Sequence, residues 1–113
     1  AVRRAFGPWA VSGPAIAIGA AALADRPWLA ASIESLHRDA VRLDALLAAA
    51  GCRIVGGTPL FRLVEHPAAT SLADRLAAGG IHVRRFPHDP RLLRFGIPGA
   101  EVAWDRLSVA IGV

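Results

Sequence analysis

Four arginines, Arg84, Arg85, Arg91 and Arg94, crowd one short stretch of this 113-residue chain. Arg84, Arg85 and Arg91 read first as surface charge and protection of a sheet edge. Arg94 differs, because it stands between Leu93 and Phe95 inside a short apolar run. The two-residue period of a strand puts Leu92, Arg94 and Gly96 on one face and Leu93 and Phe95 on the other. An arginine beside a glycine, where no bulk blocks access, suits bidentate capture of a carboxylate or phosphate.

The other reactive residue types offer less. His37, His66, His82 and His88 form no i, i+4 ligand pair on a helix, and no cysteine stands near them in sequence, so no metal site is expected. A single cysteine, Cys52, allows no internal disulfide and fits a reducing cytoplasm. No G-x-S-x-G motif is present, and Gly56-Gly57-Thr58 is too short for a phosphate cradle and reads as a strand bulge. All 13 basic residues are arginine. With no lysine, these residues supply no side-chain amine for a Schiff base or a Walker-type phosphate grip. The arginine bias sits beside heavy use of Ala, Gly and Pro and reads as a coding bias. A net charge of +4 spread along the chain is not the basic face of a nucleic-acid binder.

The elements that must carry Arg94 can be read from periodicity. Leu29, Ile33, Leu36, Ala40, Leu43, Leu47 and Ala50 recur at alternating four- and three-residue steps, with Glu34, Arg38, Asp39, Arg42 and Asp44 opposite. That is a long amphipathic helix, capped by Asp25, with Pro27 in its first turn and Gly51 at its end. Its alanines favour packing on a sheet over a coiled coil. Arg53 to Val64 reads as one strand interrupted at Gly56-Gly57-Thr58-Pro59. Thr70 or Ser71 should cap a short helix closed by Gly79-Gly80. Ile81 to Phe86 and Leu92 to Gly96 read as an antiparallel hairpin about Pro87-His88-Asp89-Pro90. A last helix after Pro98-Gly99 should turn Val102, Ala103, Leu107, Ala110 and Ile111 inward. The order α-α-β-α-β-β-α predicts an α+β layer, a small antiparallel sheet covered by helices.

The N-terminus admits two readings. Arg3-Arg4 followed by an uncharged run to Ala24 has the ingredients of a twin-Arg export signal. Gly7-Pro8 and Gly13-Pro14 break that run, so a transmembrane helix is not expected. The plainer reading is a loop, Gly7 to Gly13, feeding a short buried Ala-rich helix that starts at Pro14.

Three stretches resemble, in order, the C-terminal part of the fold-type-I pyridoxal-phosphate enzymes. They are Pro8-Trp9-Ala10-Val11-Ser12-Gly13-Pro14-Ala15, Gly80-Ile81-His82-Val83-Arg84 and Leu92-Leu93-Arg94-Phe95-Gly96-Ile97-Pro98. The resemblance is nearest to the threonine-phosphate decarboxylases of cobalamin biosynthesis and the histidinol-phosphate aminotransferases, and Gly57-Thr58-Pro59-Leu60-Phe61 suits the decarboxylase branch. It implies that residues 1–25 belong to a large-domain or linker region and 26–113 to a C-terminal small domain. It also implies a homodimeric cytoplasmic parent, a small phosphorylated amino-acid substrate, and pyridoxal 5'-phosphate as cofactor. Arg94 is the position that binds the substrate α-carboxylate in that family, Arg84 matches a recurrent arginine, and Ser12 stands where an Asn near the substrate is common. The family's cofactor lysine has no counterpart here, so the chain alone is expected to be inactive. A reading of another class remains beside this one: a non-catalytic module whose Arg-rich hairpin holds an anion or a partner protein.

Overall fold

The computed structural model describes residue 7 and residues 9–113. Arg3-Arg4 of the export-signal reading and Pro8 of the first motif lie outside the described residues. The chain falls into two compact units, residues 1–33 and 34–113, with the boundary inside a helix.

In the first unit, α1 (Gly13–Ala24) begins where Ser12 accepts a hydrogen bond from the Ala15 amide at 3.4 Å. Pro14 sits in its first turn, as expected. The expectation of a buried helix is not met, because α1 buries none of its residues. It is apolar nearly all round, so it has no polar face to turn to water, and Ile16, Ile18 and Leu23 stand exposed. α2 (Arg26–Ala49) starts at Asp25, whose carboxylate accepts from the Trp28 amide at 3.0 Å. No single helix among the described residues is long and apolar enough to cross a membrane.

The second unit contains the rest of α2, then β1 (Arg53–Thr58), β2 (Phe61–Glu65), α3 (Ala69–Ala78), β3 (Arg84–Arg85), β4 (Leu92–Gly96) and α4 (Glu101–Ile111). The strands form one antiparallel sheet in the order β1-β2-β4-β3. One face of the sheet carries the core. Val64, Leu93 and Phe95 pack with Leu43 and Leu47 of α2, Leu72 and Leu76 of α3, and Trp104, Leu107 and Ile111 of α4. The α+β layer of the sequence reading is therefore present. The 4-3 stripe of α2 is buried only at Ala40, Leu43 and Leu47, while Ile33 is exposed.

The structure corrects four local expectations. The interrupted strand is a hairpin: β1 and β2 pair from Arg53↔Glu65 to Thr58↔Phe61, and Pro59-Leu60 form the turn. Thr58 holds that turn by accepting from the Leu60 amide at 3.2 Å. The expected bulge is there, as a register shift between Ile54 and Gly56. Gly57 then has φ +148°, and a Cβ on it would lie 2.4 Å from the Phe61 carbonyl oxygen, so only glycine fits.

Secondly, the strand expected over Ile81 to Phe86 shrinks to Arg84–Arg85. The Gly80 and Ile81 amides instead close α3, donating to the carbonyls of Ala77 and Leu76 at 2.9 and 2.8 Å. Gly80 takes the left-handed conformation this ending requires. Thirdly, neither Thr70 nor Ser71 caps α3. The helix starts at Ala69, and His66 satisfies the entering amides, Nδ1 accepting from Ala68 at 3.1 Å and its carbonyl from Ala69 at 3.2 Å. Finally, Trp104 and not Val102 faces the core on α4, in step with Leu107 and Ile111.

Candidate anion-binding site

β4 alternates as its sequence predicts. Leu93 and Phe95 are buried, whereas Arg94 and Gly96 are exposed. Directly opposed residues of an antiparallel pair share a face. Register therefore gathers Phe61 with Gly96, Leu63 with Arg94, and Glu65 with Leu92 on the face away from the core. β3 adds Arg84, directly opposite Arg94. The two arginines singled out by sequence on this hairpin thus lie side by side on the open face of the sheet.

Two like charges directly opposed across a ladder are unfavourable unless something neutral or anionic intervenes. The rest of the second unit makes this pair unusual. Arg38 pairs with Glu34, Arg42 with Glu101, Arg53 and Arg91 with Glu65, Arg62 with Asp44, and Arg85 with Asp74. Arg75 and Arg106 donate to the carbonyls of Ala110 and Gly79 at 3.0 and 2.9 Å. Among the described residues of this unit, Arg84 and Arg94 alone of the arginines meet neither an acid nor a carbonyl. The acid on their own face, Glu65, is already shared by Arg53 and Arg91. Their recorded neighbours are aromatic: the Arg94 guanidinium lies 4.8 Å from the centre of the Phe61 ring, and that of Arg84 lies 5.9 Å from Phe86. Gly96 keeps the adjacent surface clear, since a Cβ there would meet no atom within 4 Å.

The hairpin that presents Phe61 is anchored from behind. Arg62, one residue on and on the core face, grips Asp44 of α2 through Nε and Nη2 at 2.6 and 2.7 Å. This is a half-buried bidentate bridge, and it fixes β2 to the helix layer.

Ser12 belongs to the first unit, where its hydroxyl is occupied as the cap of α1. Cys52 is buried, and burial pushes its thiol above the ordinary value, which disfavours the reactive thiolate. A hollow of about 270 Å³ touches Gly96 from the side of Ile81, His82, Pro98 and Ala103, but neither Arg84 nor Arg94 lines it. Among the described residues no three His, Cys, Asp or Glu side chains come together as metal ligands. Sequence reasoning missed Phe61. Its identity was visible, but only the β2–β4 register places it beside Gly96 and under Arg94.

No family model matches the chain. It is 48% identical over 102 residues to a threonine-phosphate decarboxylase of Sinorhizobium sp., which covers 89% of the chain and 29% of that protein. It is 38% identical over 111 residues to the threonine-phosphate decarboxylase of Pseudomonas aeruginosa PAO1, covering 98% of the chain and 33% of that protein. The chain therefore spans about a third of the length of the curated relatives it matches. Its fold is similar to the crystal structure of a protein named as an aminotransferase from Burkholderia pseudomallei K96243. The TM-score is 0.68 at 28% identity, over 80% of this chain and 29% of that one. The resemblance first drawn from three short motifs thus extends over nearly the whole chain, which is an aminotransferase-like segment.

Proposed function

We propose that this chain is the substrate-gripping C-terminal domain of a threonine-phosphate decarboxylase-like enzyme, with residues 1–25 part of the large-domain or linker region and 26–113 the small domain. The observation that carries the reading is the acid-free arginine pair on the open sheet face, on a chain similar to decarboxylases of a phosphorylated amino acid. Such a substrate brings two anionic groups, a carboxylate and a phosphate. Arg94 takes the α-carboxylate in a two-pronged grip, and Arg84 adds the second positive charge. Ser12 is a weaker candidate contact, because its hydroxyl already serves α1.

Pyridoxal 5'-phosphate is the cofactor that the family resemblance implies for the parent. These 113 residues do not fit it as its covalent holder, because they include no lysine to bond its aldehyde. No step of cofactor chemistry is assigned to this chain, and the parent's lysine and the closing wall over the open face would come from elsewhere in a longer, homodimeric polypeptide.

What this chain does is hold and orient. In a decarboxylation the bond from Cα to the carboxylate breaks and the group leaves as CO₂. The charge that Arg94 grips therefore fades as the reaction proceeds. An interaction present in the ground state and weakened in the transition state aids binding and alignment and does not lower the barrier. Arg94→Ala in the full-length enzyme should raise KM for L-threonine O-3-phosphate roughly 30- to 150-fold, the equivalent of about 2–3 kcal/mol of charged hydrogen bonding, and should lower kcat/KM by less, because part of that grip is already gone in the transition state. An unchanged KM would exclude Arg94 as the carboxylate clamp. An aminotransferase would use the same arginine but break the Cα–H bond, so the two reactions are told apart by whether CO₂ or a keto acid is released.

A further inference from the structure

Two arginines of this unit lie over aromatic rings at short range, and one of them already holds a carboxylate. The Arg42 guanidinium sits 4.3 Å from the centre of the Trp104 ring and donates to both oxygens of Glu101 at 2.8 Å. The ring covers one face of the planar cation, and the in-plane N–H groups meet the acid. Arg94 over Phe61 at 4.8 Å repeats the first half of this arrangement, with no acid supplied by the described residues. From the comparison we infer that Phe61 is a positioning residue: its ring fixes the plane of the Arg94 guanidinium so that its paired N–H groups are set for an incoming carboxylate.

The backbone supports this role. Phe61 directly opposes Gly96, so the arginine next in line on that face, Arg94, reaches the ring across a residue with no side chain. A Cβ at 96 would meet nothing within 4 Å, so only a longer side chain would fill the open space beside the pair, where the carboxylate arrives. Phe61 is also held from two sides, by the Gly57 close approach at its carbonyl and by the Arg62–Asp44 bridge one residue on. An arginine otherwise loses considerable side-chain freedom on capturing a ligand, and a ring that holds it beforehand lowers that cost.

The inference rests on the reading of Arg94 as carboxylate clamp, and the test separates the two. In the full-length holoenzyme, KM and kcat are measured for L-threonine O-3-phosphate, together with the inhibition constant of the carboxylate-free amine phosphate that decarboxylation releases. Phe61→Leu should raise KM about three- to tenfold, with kcat and the amine inhibition constant each within about twofold. Phe61→Tyr, which keeps the ring, should restore KM. Equal weakening of both ligands by Phe61→Leu would overturn the inference as a general disturbance of the fold. No change with Phe61→Leu, while Arg94→Ala abolishes the preference for the carboxylate-bearing ligand, would overturn it and leave the clamp reading intact. If Arg94→Ala itself leaves that preference unchanged, the clamp reading fails and the inference falls with it. A measurement on the wild type needs no variant to fold: the Arg94 Nε–H proton should resonate upfield of the other arginines through the ring current of Phe61, and a proton at the ordinary position would overturn the inference.

Discussion

Two adjacent glycines in β1 should respond oppositely to the same change. At Gly57 a new Cβ would lie 2.4 Å from the Phe61 carbonyl oxygen, 3.0 Å from Arg62 Cα and 3.2 Å from Arg62 Nη1, at a φ of +148°. The obstacles nearest to it are backbone, so the two strands of the hairpin must part. The backbone conformation alone costs an alanine roughly 1–3 kcal/mol. A displaced ladder hydrogen bond adds about 1 kcal/mol, so Gly57→Ala should cost about 3 kcal/mol. For a unit of this size that is a fall in Tm of roughly 12–24 °C. At Gly56 a Cβ meets nothing within 4 Å and φ is not in the left-handed region. Gly56→Ala should therefore change stability by less than about 1 kcal/mol, with a stabilising sign favoured by the lower entropy of the unfolded chain. Urea unfolding, followed by the fluorescence of buried Trp104 and checked by far-UV circular dichroism, reads both. Equal effects at the two positions, or less than about 1 kcal/mol at Gly57, would refute the tight-turn account of how β2 is held.

The half-buried Arg62–Asp44 bridge should show coupling in a double-mutant cycle: Arg62→Met or Asp44→Asn alone should each cost about 1–3 kcal/mol, and the pair less than their sum. The exposed Arg42–Glu101 bridge acts through pH. Its hydrogen bond to Arg42 holds the Glu101 carboxyl below the usual range, so its stabilisation is present above about pH 4.3 and is lost as pH falls through the depressed folded value. Glu101→Gln should flatten the acid limb of the Tm–pH curve, and an unaltered limb would remove this pair from the explanation. His66→Ala should cost about 1 kcal/mol by leaving the Ala68 amide at the start of α3 without its acceptor. Cys52 should react slowly with a thiol reagent in the folded chain and rapidly in denaturant, since burial both shields the thiol and keeps it protonated.

The long helix and β4 were legible because each shows its own period over enough residues. The α2 stripe and the alternation from Leu92 to Gly96 needed no tertiary knowledge. Elsewhere the deciding interaction was not local. Arg53 to Val64 reads as one strand when its glycines are taken as a bulge alone. The same glycines also allow the close approach at Gly57 that folds the run back on itself, and Pro59-Leu60 then completes a two-residue turn. The strand after Gly80 is shorter than its sequence suggests because the Ile81 amide is spent closing α3 and is not left for a ladder. His66 replaced the hydroxyl caps because the chain, turning at Pro67, brings its ring nitrogen to the Ala68 amide. Arg94 was found from its strand alone. Phe61 is not legible in that way, because a cross-strand neighbour is defined by register, and the register follows only from the hairpin that β1 and β2 form.

In a chain where every basic residue is an arginine, neither the number of arginines nor their nearness in sequence picks out a binding site. What separates them is their partners. Arg62, Arg85 and Arg91 lie on or beside the same strands as Arg84 and Arg94, yet each is spent on an acid of this chain. A protein that had only to fold could satisfy Arg94 in the same way, since β2 places Glu65 on the same face. Glu65 instead joins Arg53 and Arg91, leaving two opposed cations with no acid beside them among the described residues. That arrangement is unfavourable for the isolated fold and favourable only once an anion arrives. If so, adding a dianionic ligand such as L-threonine O-3-phosphate should stabilise the wild-type chain more than the Arg84→Gln/Arg94→Gln variant. Without ligand, the variant should be at least as stable as the wild type. A variant clearly less stable than wild type in the absence of ligand would mean the pair serves the fold, and the argument from uncompensated charge would fail.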